Sequence, residues 1–191
     1  MHEPSTHSAL LARIGSTLEA RGIPYMVIGG HAAILYGEPR LTRDIDITLG
    51  VGPDRLGDLL EIVRAAGLVP APGAQELALR NYVLPCSDTA TGIDVDLILS
   101  VSAYEQEALA RARAVDLGGV GVRFASVDDV LIHKIVAGRP RDIEDARAIL
   151  ARMPSLDRPY LQRWLQEFER TSSSPLVRRF RELEAEVHPG P

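Results

Sequence analysis

The feature that most constrains the fold is the stretch from Tyr25 to Leu49, YMVIGGHAAILYGEPRLTRDIDITL. It opens with a short apolar run that ends on Gly29-Gly30, and an apolar segment at helical spacing then follows. From Asp44 onward polar and apolar residues alternate, which predicts a strand with one buried face. The stretch therefore predicts a strand, a glycine turn, a short helix and a second strand in direct succession.

The side chains of Asp44 and Asp46 are expected on the same, unburied face of that second strand. Two carboxylates so close repel each other and raise each other's pKa unless a cation lies between them. Their hard oxygen atoms favour Mg²⁺, which proteins usually hold with one or two carboxylates and substrate phosphates. The backbone N–H groups of Gly29 and Gly30 can approach a phosphate at the turn. The stretch therefore predicts half of a site for a metal ion and a triphosphate.

A later segment, Ile93 to Leu99, carries Asp94 and Asp96 on one face of a predicted strand. A carboxylate delivered beside the first pair could complete a metal site and accept a proton from an attacking hydroxyl. Asp96 is favoured, because the apolar residues that follow it continue a buried strand, whereas Asp94 is closer to a loop. The sequence leaves both residues open for this role.

The order of the predicted elements, mixed strands first and helices after, indicates an α+β fold. We expect a mixed sheet flanked by helices over residues 1–125 and a C-terminal helical bundle over 126–191. Predicted strands cover 25–28, 44–49, 76–84, 93–99 and a hairpin within 114–124, and predicted helices cover 8–21, 31–36, 53–66, 103–113, 126–137, 140–152, 158–170 and 175–187.

Charge is distributed unevenly along the chain. The formal net charge is −5, yet residues 134–181 carry one Lys and ten Arg against six acidic residues, which leaves −10 for the rest. A basic C-terminal third indicates a local anionic partner. No apolar run reaches transmembrane length, the first residues lack a basic leader, and Cys86 is the single cysteine. These features predict a cytoplasmic protein without a membrane segment.

The segments VIGGHAAILYGEPRLTRDIDI and VDLIL together resemble the signature of the nucleotidyltransferase superfamily, whose fold is that of DNA polymerase beta. The downstream run DDVLIHKIVAGRPRDIEDARAIL resembles the AbiEii-type toxin branch, which includes the MenT-like toxins. The resemblance implies that Asp44, Asp46 and Asp96 bind Mg²⁺ and act in catalysis together with Lys134. It implies nucleotide-binding roles for Gly29, Gly30, Arg40, Thr42, Lys134, Arg139, Asp142 and Asp145. It assigns no role to His31.

Lys134 is the only lysine in the chain, and the other twenty basic residues are arginine. Lysine carries a compact point charge, whereas the guanidinium of arginine is a planar fork, so a confined phosphate pocket can require lysine and reject arginine. The lone lysine at this position therefore favours a contact with phosphate or base.

The expected function is Mg²⁺-dependent transfer of a nucleoside monophosphate from a nucleoside triphosphate to an acceptor. The toxin resemblance implies RNA as that acceptor, in particular the 3′ end of tRNA, and an antitoxin protein as a possible partner. Two alternatives stay open. One is a small-molecule nucleotidyltransferase that modifies an antibiotic, and the other is a non-catalytic module that binds a nucleotide or a partner protein.

Overall fold

A computed structural model describes residues 5–188 of the 191-residue chain. The strands are β1 Tyr25–Val27, β2 Ile45–Leu49, β3 Leu68–Pro70, β4 Val83–Asp88, β5 Asp94–Leu99, β6 Arg113–Asp116 and β7 Gly121–Phe124. The helices are α1 Thr6–Ala20, α2 Gly29–Tyr36, α3 Leu56–Ala65, α4 Ala74–Asn81, α5 Ala103–Arg111, α6 Val127–Ala137, α7 Pro140–Arg152, α8 Arg158–Glu169 and α9 Leu176–Val187. A 3-10 turn over Pro53–Arg55 leads into α3.

The strands form one seven-stranded mixed sheet in the order β3-β4-β5-β2-β1-β7-β6. Strand β2 pairs in parallel with β5, and β1 pairs in parallel with β7, while the other neighbours are antiparallel. The hairpin predicted within 114–124 is the β6–β7 pair, and Gly118 and Gly119 between the two strands have positive φ. The predicted α+β class, a mixed sheet flanked by helices, is confirmed.

The chain divides into two compact units. The first contains the described residues up to His31 together with Leu41–Ala125, and therefore holds the whole sheet. The second contains Ala32–Arg40 and the described residues from Ser126 onward. Most of helix α2 thus belongs to the second unit, in which Gly37 at its end packs against α7. The domain boundary at residues 125 and 126 stays a prediction.

In the first unit the sheet supplies the core, because its central strands are apolar on the side that faces the helices. Ile45, Ile47 and Leu49 of β2 are almost completely buried, as are Val95 and Leu97 of β5. Helix α1 packs against β7, α3 against β3 and α4 against β4. The opposite side of β2 and β5 carries the aspartates.

In the second unit α6 is the central helix and contacts α7, α8 and α9. The start of α6 is capped, since the hydroxyl of Ser126 accepts a hydrogen bond from the backbone N–H of Asp129. The buried carboxylate of Asp129 also accepts hydrogen bonds from the hydroxyls of Ser126 (2.5 Å) and Tyr160 (2.6 Å). The helix ends at Gly138, which has a φ of 62°. The hydrogen bond from Tyr160 thus links the start of α6 to α8.

The strand predicted over 76–84 is wrong. Residues Ala74–Asn81 form α4, and the strand begins only at Val83 and continues through Pro85 to Asp88. The segment consists mainly of good helix formers, and Ala74 and Ala78, one helical turn apart, are buried. The expected strand ended at residue 84, just before Pro85, and proline has no N–H to donate to a strand ladder. The strand nevertheless includes this proline, whose carbonyl still accepts a hydrogen bond from Ala71 (2.9 Å).

Within the part of the chain that the structure describes, no helix combines the length and the apolar character needed to cross a bilayer.

Candidate active site

The predicted catalytic aspartates lie on two neighbouring parallel strands of the first unit. The register of β2 and β5 pairs Ile45 with Val95 and Asp46 with Asp96, so these two aspartates are lateral neighbours on the same face of the sheet. Both are half-buried, whereas Asp44 and Asp94, each two residues earlier in the chain, are exposed. The sequence predicted that a carboxylate of the later strand would lie beside the first pair of aspartates, and Asp96 lies beside Asp46. The register makes Asp96, rather than Asp94, the partner of Asp46.

The carboxylate of Asp46 occupies the space that a side chain at position 29 would need. A β-carbon built on Gly29 would lie 1.9 Å from Asp46 Oδ2 and 2.8 Å from its Cγ, which no side chain can tolerate. The φ of Gly29 is 62°, a left-handed conformation that glycine adopts without strain. A backbone hydrogen bond also keeps the two segments close, since the N–H of Ile28 donates to the carbonyl of Asp46 (2.9 Å). The first glycine of the turn is thus required by a carboxylate of the protein itself.

The electrostatic environment of Asp96 is unfavourable for its charge. Burial raises the pKa of Asp96, and the negative charges of Asp44 and Asp94 raise this pKa further. A cation near these oxygen atoms would remove the repulsion that the three carboxylates exert on one another.

The oxygen atoms of these aspartates are suitable ligands for Mg²⁺, because this ion prefers hard ligands such as carboxylate oxygens. Within residues 5–188, however, no three His, Cys, Asp or Glu side chains are grouped as a complete metal site. Mg²⁺ does not need such a cage, since it commonly keeps waters and substrate phosphates as ligands beside one or two carboxylates. The pair Asp46 and Asp96, with Asp44 close to the latter, fits that mode of binding.

A cleft of about 680 Å³ opens beside these carboxylates in the first unit. Asp44, Asp94 and Asp96 line one part of it, and Pro85 and Cys86 of β4 line another. Burial raises the pKa of the Cys86 thiol to about 12, and the charge of Asp96 adds to the shift. The thiol therefore stays protonated at neutral pH and serves as an apolar part of the wall.

The second unit contains the other predicted cluster, built around the lone lysine. Lys134 on α6 is 5% exposed, and its Nζ lies 3.0 Å from Asp142 Oδ1 and 2.9 Å from Asp145 Oδ2 on α7. Arg40 donates two hydrogen bonds to Asp145 (2.8 and 2.9 Å), and Arg139 donates two to Asp142 (2.6 and 3.3 Å). The five predicted residues thus form one alternating chain of charges with a net charge of +1.

The same contacts explain the acidity of the two aspartates. Burial alone would raise the pKa of Asp142, but the hydrogen bonds and charges of Arg139 and Lys134 outweigh it and hold that pKa below its usual range. Burial likewise opposes ionisation of Asp145, and Arg40 and Lys134 lower its pKa. Both carboxylates are therefore ionised at neutral pH. Lys134 on α6 is paired with both of these carboxylates on α7, and its contact with a nucleotide stays a prediction.

The remaining predicted residues lie in the first unit. Gly30 is buried in the first turn of α2. The hydroxyl of Thr42 is 3.5 Å from the carbonyl of Asp44, so it contacts the segment that leads into β2. The ring of His31 lies 5.1 Å from that of His7, whose Nε2 is 3.3 Å from the carbonyl of Arg43. Sequence reasoning missed the cleft and its residue Arg43. Part of the lining comes from β3 and the residues just after it, and no element was predicted for that segment.

The basic character of the C-terminal third is reduced by acidic residues just beyond the predicted stretch. Arg178 pairs with Glu182, Arg158 with Glu184 and Arg147 with Glu186, each at 2.7–2.8 Å. From residue 126 to the end the chain carries eleven basic and eleven acidic residues. Four of these acidic residues and Lys134 are buried, so the side chains outside the buried set comprise ten Arg and seven acidic residues. The surface of these helices therefore has only a small excess of positive charge.

Solved structures similar to this one define the class of protein. A nucleotidyltransferase-like protein from Paracoccidioides brasiliensis is 19% identical, with 77% of each chain covered and a TM-score of 0.56. ANT(2")-Ia in complex with adenylyl-2"-tobramycin is 17% identical, with 95% of this chain and 99% of that chain covered and a TM-score of 0.57. The lincosamide antibiotic adenylyltransferase LnuA, with lincomycin bound, is 13% identical, with 74% and 96% covered and a TM-score of 0.50. The fold is that of the nucleotidyltransferases.

A match in sequence identifies the family to which the chain belongs. Residues 9–187 match a family described as "Nucleotidyltransferase of unknown function (DUF6036)", so the chain belongs to that family. Among proteins with a curated description, none matches this chain in sequence.

Proposed function

We propose that this chain is a Mg²⁺-dependent nucleotidyltransferase that moves a nucleoside monophosphate from a nucleoside triphosphate to an acceptor hydroxyl. The observation that carries the proposal is the register of β2 and β5, which makes Asp46 and Asp96 neighbours. The close approach of Gly29 to the Asp46 carboxylate supports it, since a glycine turn and an acidic strand come together there. Family membership supports the class of reaction.

In this mechanism Asp44, Asp46 and Asp96 are the residues that would hold Mg²⁺, and the bound ion would supply positive charge for the phosphate oxygens of the triphosphate. The N–H groups of Gly29 and Gly30, at the start of α2, bind phosphate oxygens. The acceptor oxygen forms a bond to the α-phosphorus, and the bond from that phosphorus to the bridging oxygen of the β-phosphate breaks. Pyrophosphate leaves with the electron pair. Asp96 takes the proton of the acceptor hydroxyl and passes it to water.

RNA is the acceptor that the toxin resemblance implies, in particular the 3′ end of a cytoplasmic tRNA, with an antitoxin as a possible partner. Its support is the pattern of Lys134, Arg139, Asp142 and Asp145, which resembles the AbiEii and MenT-like branch. Charge supports RNA less than the sequence indicated, because seven acidic residues that are not buried accompany the ten Arg from residue 126 onward and several of them form ion pairs. RNA transfer in a toxin–antitoxin system therefore rests on the resemblance.

A small-molecule acceptor is the second candidate, and the cleft beside the catalytic carboxylates favours it. The cleft, at about 680 Å³, has the size of ordinary small-ligand pockets. Two proteins with this fold, ANT(2")-Ia and LnuA, are structurally known with an antibiotic or its adenylylated product bound. At this level of identity the likeness concerns the fold, so the acceptor must be tested directly.

The experiment is a label-transfer assay. Each of the four nucleoside triphosphates, labelled at the α-phosphate, is incubated with the protein and Mg²⁺, once with total cellular RNA and once with a panel of hydroxyl-bearing antibiotics. We expect label to pass to one acceptor pool and EDTA to abolish the transfer. Absence of transfer from all four triphosphates to both pools would contradict the proposed function.

A further inference from the structure

We propose that the cleft beside the carboxylates is the acceptor site, and that its acceptor is a small molecule with an ammonium group near the reacting hydroxyl. Asp94 is the residue that binds this ammonium group and thereby selects the acceptor. The inference rests on the proposed nucleotidyltransferase function, which assigns Asp44, Asp46 and Asp96 to the metal and the proton.

Asp94 is one carboxylate more than that chemistry uses. It begins β5, is exposed, and lines the cleft two residues before Asp96. Its register partner on β4 is Ser87, an uncharged residue that lines the same cleft. Among residues 5–188 no ion pair engages the Asp94 carboxylate, and Arg43, which lines the cleft as well, does not pair with it. The carboxylate is therefore available to a charged ligand.

Asp94 also lies close to the site of the chemistry. Asp94 and Asp96 stand two residues apart on β5, so they share one face of the strand, and both line the cleft. Residues two apart on a strand are separated by about 6.5 Å. A ligand whose ammonium group binds Asp94 would therefore hold a hydroxyl on a nearby carbon close to the Asp96 carboxylate. Such binding would orient the acceptor oxygen for attack.

The remaining lining of the cleft is largely apolar and poor in hydrogen-bond donors. It contains Val69, which is 51% exposed, together with Pro70, Pro72 and Pro85. Proline has no N–H, so these three residues offer no backbone donor to a phosphate. They offer flat, rigid surface on which the carbon skeleton of a ring can pack. The two parts of the lining together match a compact ligand that combines an apolar ring face with a cationic edge.

The same lining disfavours RNA in the cleft. A phosphodiester would meet the three carboxylates of Asp44, Asp94 and Asp96, and Arg43 is the one cationic residue among those that line the cleft in the described chain. Like charges disfavour binding and suppress wrong partners. The charge of the cleft thus complements an ammonium compound.

Calorimetric titration with tobramycin, a polyol with several ammonium groups, tests the inference in Mg²⁺ buffer. Its per-N-acetylated form, which keeps the hydroxyls and lacks the charges, is the matched ligand. We expect tobramycin to bind and the acetylated form to bind at least 10-fold more weakly. Asp94→Asn should weaken tobramycin binding on the order of 10- to 100-fold, the loss of one charge-assisted hydrogen bond.

Two further variants make the test specific. Arg43→Gln should leave tobramycin binding equal or stronger, because it removes a repelling charge from the cleft, whereas an anionic acceptor would bind more weakly to this variant. Asp116→Asn is the control, since this exposed aspartate lies in the β6–β7 hairpin and asparagine retains the oxygen that accepts from Gly119. Tobramycin affinity should be unchanged in Asp116→Asn.

A separate titration with nucleoside triphosphate in the same buffer distinguishes failure of the proposed function from failure of the inference about the acceptor. If no triphosphate binds and no label is transferred, the proposed function fails. If a triphosphate binds but tobramycin does not, if Asp94→Asn binds it like the wild type, or if the acetylated form binds equally well, the inference about the acceptor is overturned. Label transfer to RNA and not to tobramycin would overturn it as well.

Discussion

At the scale of single residues, the contact between Gly29 and Asp46 makes the sharpest prediction. Gly29→Ala places a methyl group where the Asp46 carboxylate lies and forces alanine into a left-handed conformation, which costs about 1–2 kcal/mol. Asp46 must then shift, and a displacement of about 1 Å in a reacting site costs on the order of 10²-fold in rate. We expect label transfer to fall at least 100-fold, measured on folded protein, with a modest loss in the free energy of unfolding.

Gly57→Ala is the matched control. Gly57 is exposed in α3 and does not have positive φ, and a β-carbon added to it would have no heavy atom of a neighbouring residue within 4 Å. Alanine should stabilise the helix there by about 0.5–1 kcal/mol and leave transfer unchanged. Equal activity in the Gly29 and Gly57 variants would show that the approach of Gly29 to Asp46 is irrelevant to the chemistry.

The aspartates could be read from the sequence because strand alternation is a local property. Asp44 and Asp46 share a face by spacing alone, and the same holds for Asp94 and Asp96. Which of the latter two is the neighbour of Asp46 depends on strand register, which the local pattern does not define. The reason for glycine at position 29 depends on a contact between residues 17 positions apart in the chain. Only the folded arrangement reveals it.

At the scale of elements, the lone lysine joins α6 to α7 through two buried ion pairs. Lys134→Met leaves Asp142 and Asp145 with one cationic partner fewer in a buried setting. Arg139 and Arg40 still pair with these carboxylates in the variant, so the cost stays below the roughly 3–5 kcal/mol of a buried charge left without a partner. We expect the loss of the hydrogen bonds from the charged lysine to lower the free energy of unfolding by about 1.5–3 kcal/mol, measured by chemical denaturation.

Arg170→Met is the matched control for this loss. Arg170 pairs with Glu167 within the same unit, but both side chains are more than half exposed. An exposed pair of this kind contributes at most about 1 kcal/mol. If Lys134→Met destabilised the protein no more than Arg170→Met, the lysine would not be the structural link that its contacts indicate.

The same cluster predicts how stability depends on pH. The pKa values of Asp142 and Asp145 are lowered in the folded protein, so their stabilising contribution is complete above the ordinary aspartate value of 3.8. As the pH falls below 3.8, the unfolded chain binds protons first, and the contribution is lost as the pH passes the lower folded pKa values. Denaturation curves measured between neutral pH and pH values below 3.8 should show this loss. The double variant Asp142→Asn and Asp145→Asn should show a flatter dependence, and an unchanged slope would contradict the assignment.

The elements themselves show where local patterns are sufficient. The α6 helix was predictable because Ser126 caps its start and Gly138 ends it, and both signals are local. The segment 76–84 was not, because its residues alternate in polarity over a few positions and also suit a helix. Tertiary packing decided between the two, since Ala74 and Ala78 fill the core against β4.

At the scale of the whole molecule, the balance of charge predicts the response to RNA. The chain has a net charge of −5, and the helices from residue 126 onward are neutral overall. Non-specific binding to a polyanion needs clustered positive charge, and even basic proteins reach only about 10⁻⁴ to 10⁻⁶ M at physiological salt. We therefore expect total tRNA to bind more weakly than about 10⁻⁶ M in a mobility-shift titration. Tighter binding with a steep salt dependence would support RNA as the acceptor.

The central claim is that Asp46, beside Asp96 and against Gly29, is part of a nucleotidyl-transfer site. The most direct measurement is transfer of the α-phosphate label by Asp46→Asn, with Asp116→Asn as control and with unfolding followed in parallel. The account predicts a loss of at least 10³-fold, about 4 kcal/mol in activation free energy, with unchanged or slightly raised stability in metal-free buffer because a repelling charge is removed. Transfer within about threefold of the wild type, under 1 kcal/mol, would contradict it.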